Sequence, residues 1–123
     1  MQEGLNKATG NLAAGLIFTG LKVGEVTFFA RTISGFSVGG SALLERGTLR
    51  VNISVLARTR QGGTLRGVLR GFEKEAGRLG AQKLVIRGTL PKSTLTSAKA
   101  KELAEKLGFI FRQADDGSIL LIK

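Results

Sequence analysis

The chain lacks four residue types that carry much of protein chemistry. Its 123 residues include no Cys, His, Tyr or Trp. The absence of Cys excludes disulfides, thiolate nucleophiles and zinc–thiolate sites, and the absence of His removes the commonest general base and metal ligand. Any catalysis would depend on Asp, Glu, Lys, Arg, Ser, Thr, backbone groups or a bound cofactor. Base stacking would depend on Phe or Arg. We expect no metal site.

Acidic residues are also scarce. Nine Asp and Glu residues stand against nineteen Lys and Arg residues, which gives a net charge of +10. An excess this large favours a polyanionic partner, such as RNA, DNA, an acidic protein or an anionic membrane. The alternative is a basic protein whose charge serves only solubility.

No apolar run near the N-terminus is long enough to cross a bilayer. Residues 12–18, LAAGLIF, number seven, whereas a membrane-spanning helix needs about 20. The run also lacks the basic flank and cleavage site of a signal peptide. We therefore expect no stable membrane insertion and a soluble chain, with a flexible lead-in over residues 1–11 and a single basic domain over residues 12–123.

The first half of the chain predicts antiparallel strands. Residues 23–33 are rich in β-branched and aromatic side chains, which is typical of a strand. The Gly-rich residues 35–41 predict a turn, residues 42–45 a short strand, and Arg46-Gly47 a tight turn. Apolar and polar residues then alternate from Leu49 to Val55, the pattern of a half-buried strand.

The second half predicts two helices between strands. Residues 64–79 have apolar positions three and four apart, as in an amphipathic helix that ends at Gly80. A strand over residues 82–89 and a helix around residues 100–107 follow, and residues 109–112 and 119–122 predict a hairpin. A strand, helix and strand in succession indicate a parallel pair. The fold class is therefore α+β, with a mixed, largely antiparallel sheet and two main helices packed on it.

The turn between the strand at Leu49 and the next helix is the predicted binding site. Backbone N–H groups at a helix start, with glycines and cations nearby, form a generic anion site. Arg58 lies on the strand that leads into this turn. Because it is two positions before Arg60, both side chains would project to the same side of an extended chain. The residues expected to hold a phosphate, of RNA or of a pyrophosphate, are Arg60, Gln61, Gly62, Gly63, Thr64, Arg66 and Arg70. The alternative is that these arginines are solvated surface charges.

Two carboxylates are the candidates for acid–base chemistry. A carboxylate near arginines stays ionised and accepts a proton from a ribose 2′-hydroxyl, while the arginines stabilise the charge that develops on phosphorus. Glu25 and Glu45 stand on or beside strands, outside the helices on which other acids are paired with cations. The predicted catalytic set is Glu25, Glu45, Arg31, Arg58 and Arg60.

The second half also resembles the GNAT acyltransferases. Arg60-Gln61-Gly62-Gly63 is similar to the loop that holds the pyrophosphate of acyl-CoA in that family, and Leu107-Gly108-Phe109 is similar to a second landmark. The resemblance covers residues 49–123 and implies a GNAT-like order of elements there, with acetyl-CoA as the acyl donor. The sequence has Ala104 where the family often has a Tyr that acts as general acid.

The overall layout resembles a different group, the C-terminal toxin domains of bacterial polymorphic toxins of the contact-dependent inhibition and Rhs class. The cues are the small apolar residues 11–20, the segment EVTFFARTISGFSVGG and the residues Gly47 to Val51. This resemblance implies a small basic domain that attacks nucleic acid in the cytoplasm of a target cell. It also implies an acidic immunity protein as its partner.

The leading functional hypothesis is a toxin domain that acts on RNA, most plausibly tRNA, as a metal-independent ribonuclease without a cofactor. The first alternative is a GNAT-fold N-acyltransferase that uses acetyl-CoA. The second alternative is a nucleic-acid-binding module without catalysis.

Overall fold

The computed structural model describes residues 17–18, 20–59, 64–88, 97–116 and 118–123, and these form six strands and two helices. The predicted α+β class is confirmed. In chain order the elements are β1 (Thr27–Ile33), β2 (Phe36–Glu45), β3 (Thr48–Arg58), α1 (Leu65–Arg78), β4 (Lys83–Gly88), α2 (Ser97–Lys106), β5 (Ile110–Gln113) and β6 (Ile119–Ile122). The predicted lead-in over residues 1–11 lies outside the described residues.

The strands form one mixed sheet in the order β1-β2-β3-β4-β6-β5. Among the described strands β3 and β4 pair in parallel, and all other neighbours pair antiparallel. A parallel pair needs a long crossover connection, and α1 lies in the segment that supplies it. The sheet is therefore mixed and largely antiparallel, as the sequence pattern predicts.

Two-residue turns connect the first three strands. Ser34 and Gly35 have φ angles of 50° and 83°, and Arg46 and Gly47 have φ angles of 53° and 77°. Positive φ at both central residues is the conformation that suits the twist of an antiparallel hairpin. The turn predicted at Arg46-Gly47 is confirmed.

The turn predicted over residues 35–41 is wrong beyond Gly35, which belongs to the turn between β1 and β2. Residues 36–41 belong to β2, and the glycines that suggested a turn mark a bulge, where the register of β2 and β3 shifts between Gly39 and Gly40. A Cβ atom on Gly40 would lie 1.9 Å from the carbonyl oxygen of Asn52. These glycines therefore serve the close approach of two strands. The strand predicted from residue 23 begins at Thr27.

Both helices cover the same face of the sheet. Even-numbered residues of β2, such as Phe36, Val38 and Leu44, are buried on this covered face. Phe18, Phe29 and Phe72 form an aromatic cluster there, with ring centroids 5.0 to 6.0 Å apart. The covered face is therefore the hydrophobic core, to which α1 and α2 contribute Val68, Leu69, Phe72, Ala76, Ala100 and Ala104.

The opposite surface of the sheet, the open face, is covered by neither described helix. Phe28 in β1 is 82% exposed and Ile110 in β5 is 55% exposed. The other residues that project from this face include Arg50, Asn52, Val85, Arg87, Arg112 and Leu120. The two faces thus differ sharply in composition.

Candidate functional site

The predicted anion site begins at the end of β3. Arg58 is the last residue of β3, and its guanidinium carbon lies 5.5 Å from the centre of the Phe36 ring. The next residue, Thr59, donates from its backbone N–H and its hydroxyl to the carbonyl oxygen of Gly35, at 2.9 and 2.7 Å. The end of β3 is thereby tied to the β1–β2 turn. Arg60, Gln61, Gly62 and Gly63 lie outside the described residues.

The start of α1 faces this end of the sheet. The hydroxyl of Thr64, the N-cap residue, accepts a hydrogen bond of 3.1 Å from the N–H of Gly67. The first turn contains no acidic residue, and Arg66 and Arg70 are exposed. The positive end of the helix dipole therefore lies beside two cations, and this arrangement favours the binding of an anion.

Glycine brings α1 against the β1–β2 turn. A Cβ atom on Gly67 would lie 2.5 Å from the Cβ of Ser34, and one on Gly71 would lie 3.2 Å from the Ile33 side chain. The helix start is thus held beside the same turn that anchors Thr59. Arg58 and the first turn of α1 are brought to one end of the sheet.

A β-bulge interrupts the pairing of β3 with β2 at the same end. Pairing between β3 and β4 is described from Thr48 and Lys83 to Ile53 and Gly88, and residues 89–96 lie outside the described residues. Ser54 has no opposite residue in the β2 register, although its hydroxyl donates to the Gly39 carbonyl at 3.4 Å. An extra residue of this kind marks a β-bulge, which bends and twists a strand. The bulge therefore lies next to the last described pair of β3 and β4.

An apolar cavity of about 50 Å³ lies beside the Ile53–Gly88 end of the parallel pair. In open α/β sheets, ligands bind outside the carboxyl ends of the strands. Every residue that lines the cavity is apolar or Gly, and the set includes Ile53, Leu56, Leu65, Leu69, Gly88 and Ala100. The site therefore combines an apolar slot with a cationic helix start.

The predicted catalytic residues are not brought together. Glu45 pairs with Thr48 at the start of β3, whereas Arg58 ends β3, so the two lie about 33 Å apart along the strand. Glu25 is near Glu45, because the N–H of the adjacent Gly24 donates to the carbonyl of Leu44. Arg31 lies on β1 opposite Val38, nearer the Arg58 end.

Glu75 on α1 has a central structural role. Glu75 is 1% exposed and accepts hydrogen bonds of 3.0 Å from the N–H groups of Ile17 and Phe18. Arg78 donates to the same carboxylate through two nitrogens, each at 2.9 Å. Glu75 therefore joins the segment before β1 to α1, a contact over 57 residues that no local sequence pattern could signal.

These contacts decide the pKa of Glu75. Burial by itself raises the pKa of a carboxyl, but the hydrogen bonds from Arg78 and Phe18, the charge of Arg78 and the hydrogen bond from Ile17 together lower it below its ordinary value. The pKa of Asp116 is also lowered, first by hydrogen bonds from the hydroxyl and N–H of Ser118 and then by Arg87. Glu75 is thus held ionised, and it is far from the helix start.

Within the described part of the chain, no cluster of three or more Asp and Glu residues is arranged to hold a metal ion. Neither described helix has the length and apolar composition needed to span a bilayer. Comparisons of the chain with protein-family models, with curated proteins and with solved structures found no match. The two family resemblances seen in the sequence therefore stay predictions.

Proposed function

We propose that this protein transfers an acyl group from acyl-coenzyme A to an amine, as the GNAT family that its sequence resembles does. The observation that carries the proposal is an apolar cavity beside a cationic helix start. Leu65 and Leu69 of α1 line this cavity together with Ile53 of β3, and the first turn of the same helix contains no acidic residue.

An acyl-CoA molecule fits this combination, because it carries phosphates at one end and an acyl group on a long arm at the other. The N–H groups at the start of α1 and the side chains of Arg66 and Arg70 would hold phosphate. The turn Arg60-Gln61-Gly62-Gly63 adds the loop that the resemblance predicts for pyrophosphate. The cavity lined by Ile53, Leu56 and Leu69 would keep the acyl end out of water.

The bound coenzyme would supply an activated thioester. The residues of the chain would position it and stabilise the negative charge that develops on the carbonyl oxygen. Ser54 lies at the bulge with no opposite residue in the β2 register, so its backbone groups are candidates for that task. Ala104, which replaces the Tyr common in the family, is fully buried, so the proton donor for the departing thiolate would have to come from elsewhere.

Calorimetry with acetyl-CoA tests the binding step. We expect saturable binding that the double reversal Arg66→Glu with Arg70→Glu weakens by at least about tenfold, because two phosphate contacts become repulsive. The matched control is Lys101→Glu with Lys106→Glu, which makes the same charge change on the exposed side of α2. Equal weakening in both variants, or no binding by the unaltered chain, would contradict the proposal.

Turnover is measured from the thiol that transfer releases. The chain contains no Cys, so every thiol that reacts with a colorimetric reagent comes from the coenzyme. Lysine peptides and aminoacyl-tRNA are the acceptors to compare. Saturable binding without thiol release on any acceptor would restrict the proposal to a non-catalytic binding module.

A second candidate is the RNA-directed toxin domain, which the net charge of +10 favours. The arginines at the helix start would then hold RNA phosphates. Its weakness is the position of Glu25 and Glu45, which lie at the opposite end of β3 from Arg58. The proposal includes action on tRNA in the cytoplasm of a target cell and capture by an acidic immunity protein.

The test of this second candidate is direct. Expression in a bacterial host should arrest growth, and purified protein should cleave total tRNA on a gel in the presence of a metal chelator. Intact tRNA and normal growth would reject it. Growth arrest with intact but acylated tRNA would instead favour the acyltransferase.

A further inference from the structure

Cations occupy the open face of the sheet in register on three strands. Arg50 on β3, Lys83 and Arg87 on β4, and Arg112 on β5 are all exposed. One row of paired residues runs across all six strands: Phe28, Ser41, Asn52, Arg87, Leu120 and Arg112. Since strands lie about 4.8 Å apart, the backbones of Arg87 and Arg112 are about 10 Å apart. Long arginine side chains at this spacing can follow a chain of phosphates.

Almost all acidic residues of the described chain lie outside the strands of the sheet. Glu45, at the end of β2, is the one acidic residue in the six described strands. Arg87 forms an exposed pair of 3.2 Å with Asp116, and such pairs contribute little stability. Within the described residues, Arg50 and Arg112 have no hydrogen-bond or ion-pair partner. The charge of this face is therefore open to an anionic ligand.

Apolar side chains accompany these cations on the open face. Phe28 is 82% exposed on β1, at one end of the row. Near the centre is a shallow depression, with Val85 and Leu120 beside Arg50, Asn52 and Arg87. Exposed rings and arginine planes stack on unpaired bases, while neighbouring cations bind the phosphates.

We infer that the open face binds single-stranded RNA, independently of the proposed acyl-CoA site on the other side of the sheet. Nucleic acid suits this face better than an acidic protein does, because an exposed ring beside a row of cations can contact both the bases and the phosphates of a single strand. Here Arg50 and Arg87 stand on the central strands β3 and β4. The five strand spacings of the sheet span about 24 Å, enough for several nucleotides.

Binding is measured by fluorescence anisotropy with a labelled oligouridylate across a range of salt. The test variant is Arg50→Gln with Arg112→Gln, and the matched control is Lys101→Gln with Lys106→Gln, which removes the same charge from α2. We expect about 100-fold weaker binding in the test variant, tenfold for each charged hydrogen bond lost. Its log–log salt dependence should become less steep by about 1.4.

Equal loss in the two variants would overturn the inference, because it would show that net charge rather than the open face governs binding. Acetyl-CoA calorimetry on the same variants separates this outcome from failure of the proposed function. RNA binding through Arg50 and Arg112 without acetyl-CoA binding would support the inference and reject the acyltransferase. The reverse result would reject the inference alone.

Phe28 supplies the test for bases. Phe28→Leu should weaken oligouridylate binding by about tenfold through loss of stacking, while Phe28→Trp should preserve it. Since Phe28 is exposed, neither change should alter the melting temperature. Heparin, a polyanion without bases, is the control ligand. If Phe28→Leu weakens heparin and oligouridylate equally, or neither, the assignment to nucleic acid is wrong.

Discussion

The two faces of the sheet differ in composition and in the roles that we assign to them. The covered face holds the aromatic cluster of Phe18, Phe29 and Phe72 against α1, and it supplies the hydrophobic stabilisation. The open face carries Arg50, Arg87 and Arg112 with little apolar burial. Because strand residues alternate between the faces, neighbours in sequence have different roles. We therefore expect that stability and the proposed RNA binding can be altered separately.

The largest expected effect contrasts two adjacent phenylalanines. Phe29 is 8% exposed in the aromatic cluster, and Phe28 is 82% exposed on the open face. Phe29→Ala should lower the free energy of unfolding by about 4 kcal/mol, through lost burial and an unfilled cavity. Phe28→Ala should change it by less than about 0.5 kcal/mol. Urea titration measures both, and similar losses would contradict the division between the faces.

A second prediction concerns the buried carboxylate of Glu75. Glu75→Ala should lower the free energy of unfolding by about 3 kcal/mol, because it leaves Arg78 and two N–H groups without their acceptor. The control is Glu73→Ala on the same helix, which removes a more exposed pair with Lys123 and should cost about 0.5 kcal/mol. Thermal unfolding compares the two, and a larger loss at Glu73 would refute this assignment.

A third prediction uses two glycines with opposite surroundings. Gly40→Ala should destabilise by about 2 kcal/mol, because its Cβ would meet the Asn52 carbonyl oxygen at 1.9 Å. Gly77→Ala should stabilise by about 1 kcal/mol, because Gly77 lies in α1 with nothing within 4 Å of an added Cβ. Effects of the same sign in urea titration would show that the bulge does not require glycine.

The smallest effect expected is a dependence of stability on pH. Because the pKa of Glu75 is lowered in the folded state, its contribution is fully present above the ordinary value of 4.5. As pH falls, the unfolded state takes up the proton first, and the contribution is lost as pH passes through the lowered folded pKa. Urea midpoints between neutral and acidic pH should therefore fall less in Glu75→Gln than in the unaltered chain. An identical acid dependence would exclude this origin.

Local patterns predicted most elements because their causes are local. The apolar spacing in α1 and the alternation from Leu49 to Ile53 follow from the faces that helices and strands present. The error over residues 35–41 has a physical reason. From sequence, Gly39 and Gly40 suggest a turn. In the structure, glycine is required at position 40 because the carbonyl of Asn52 on the next strand leaves no room for a Cβ atom.

The candidate site was predictable in part. The helix start with Thr64, Arg66 and Arg70 was predicted as an anion site from the apolar spacing of the helix and from the glycines and cations beside it, and its position at this end of the sheet comes from the structure. The apolar cavity could not be predicted, because the residues that line it come from strands and helices that are distant in sequence. Glu25 and Glu45 illustrate the opposite case, in which residue chemistry was suitable but strand direction placed the carboxylates far from Arg58.

By itself, the sequence determined the α+β class, the parallel pair around α1, the excess of positive charge and the exclusion of Cys and His chemistry. These follow from composition and short-range periodicity, which act over a few residues. Only the tertiary structure decided which arginines share the open face, where the apolar slot forms and how Glu75 anchors Ile17 and Phe18. Those arrangements depend on strand register and on contacts between distant segments, which no local pattern encodes.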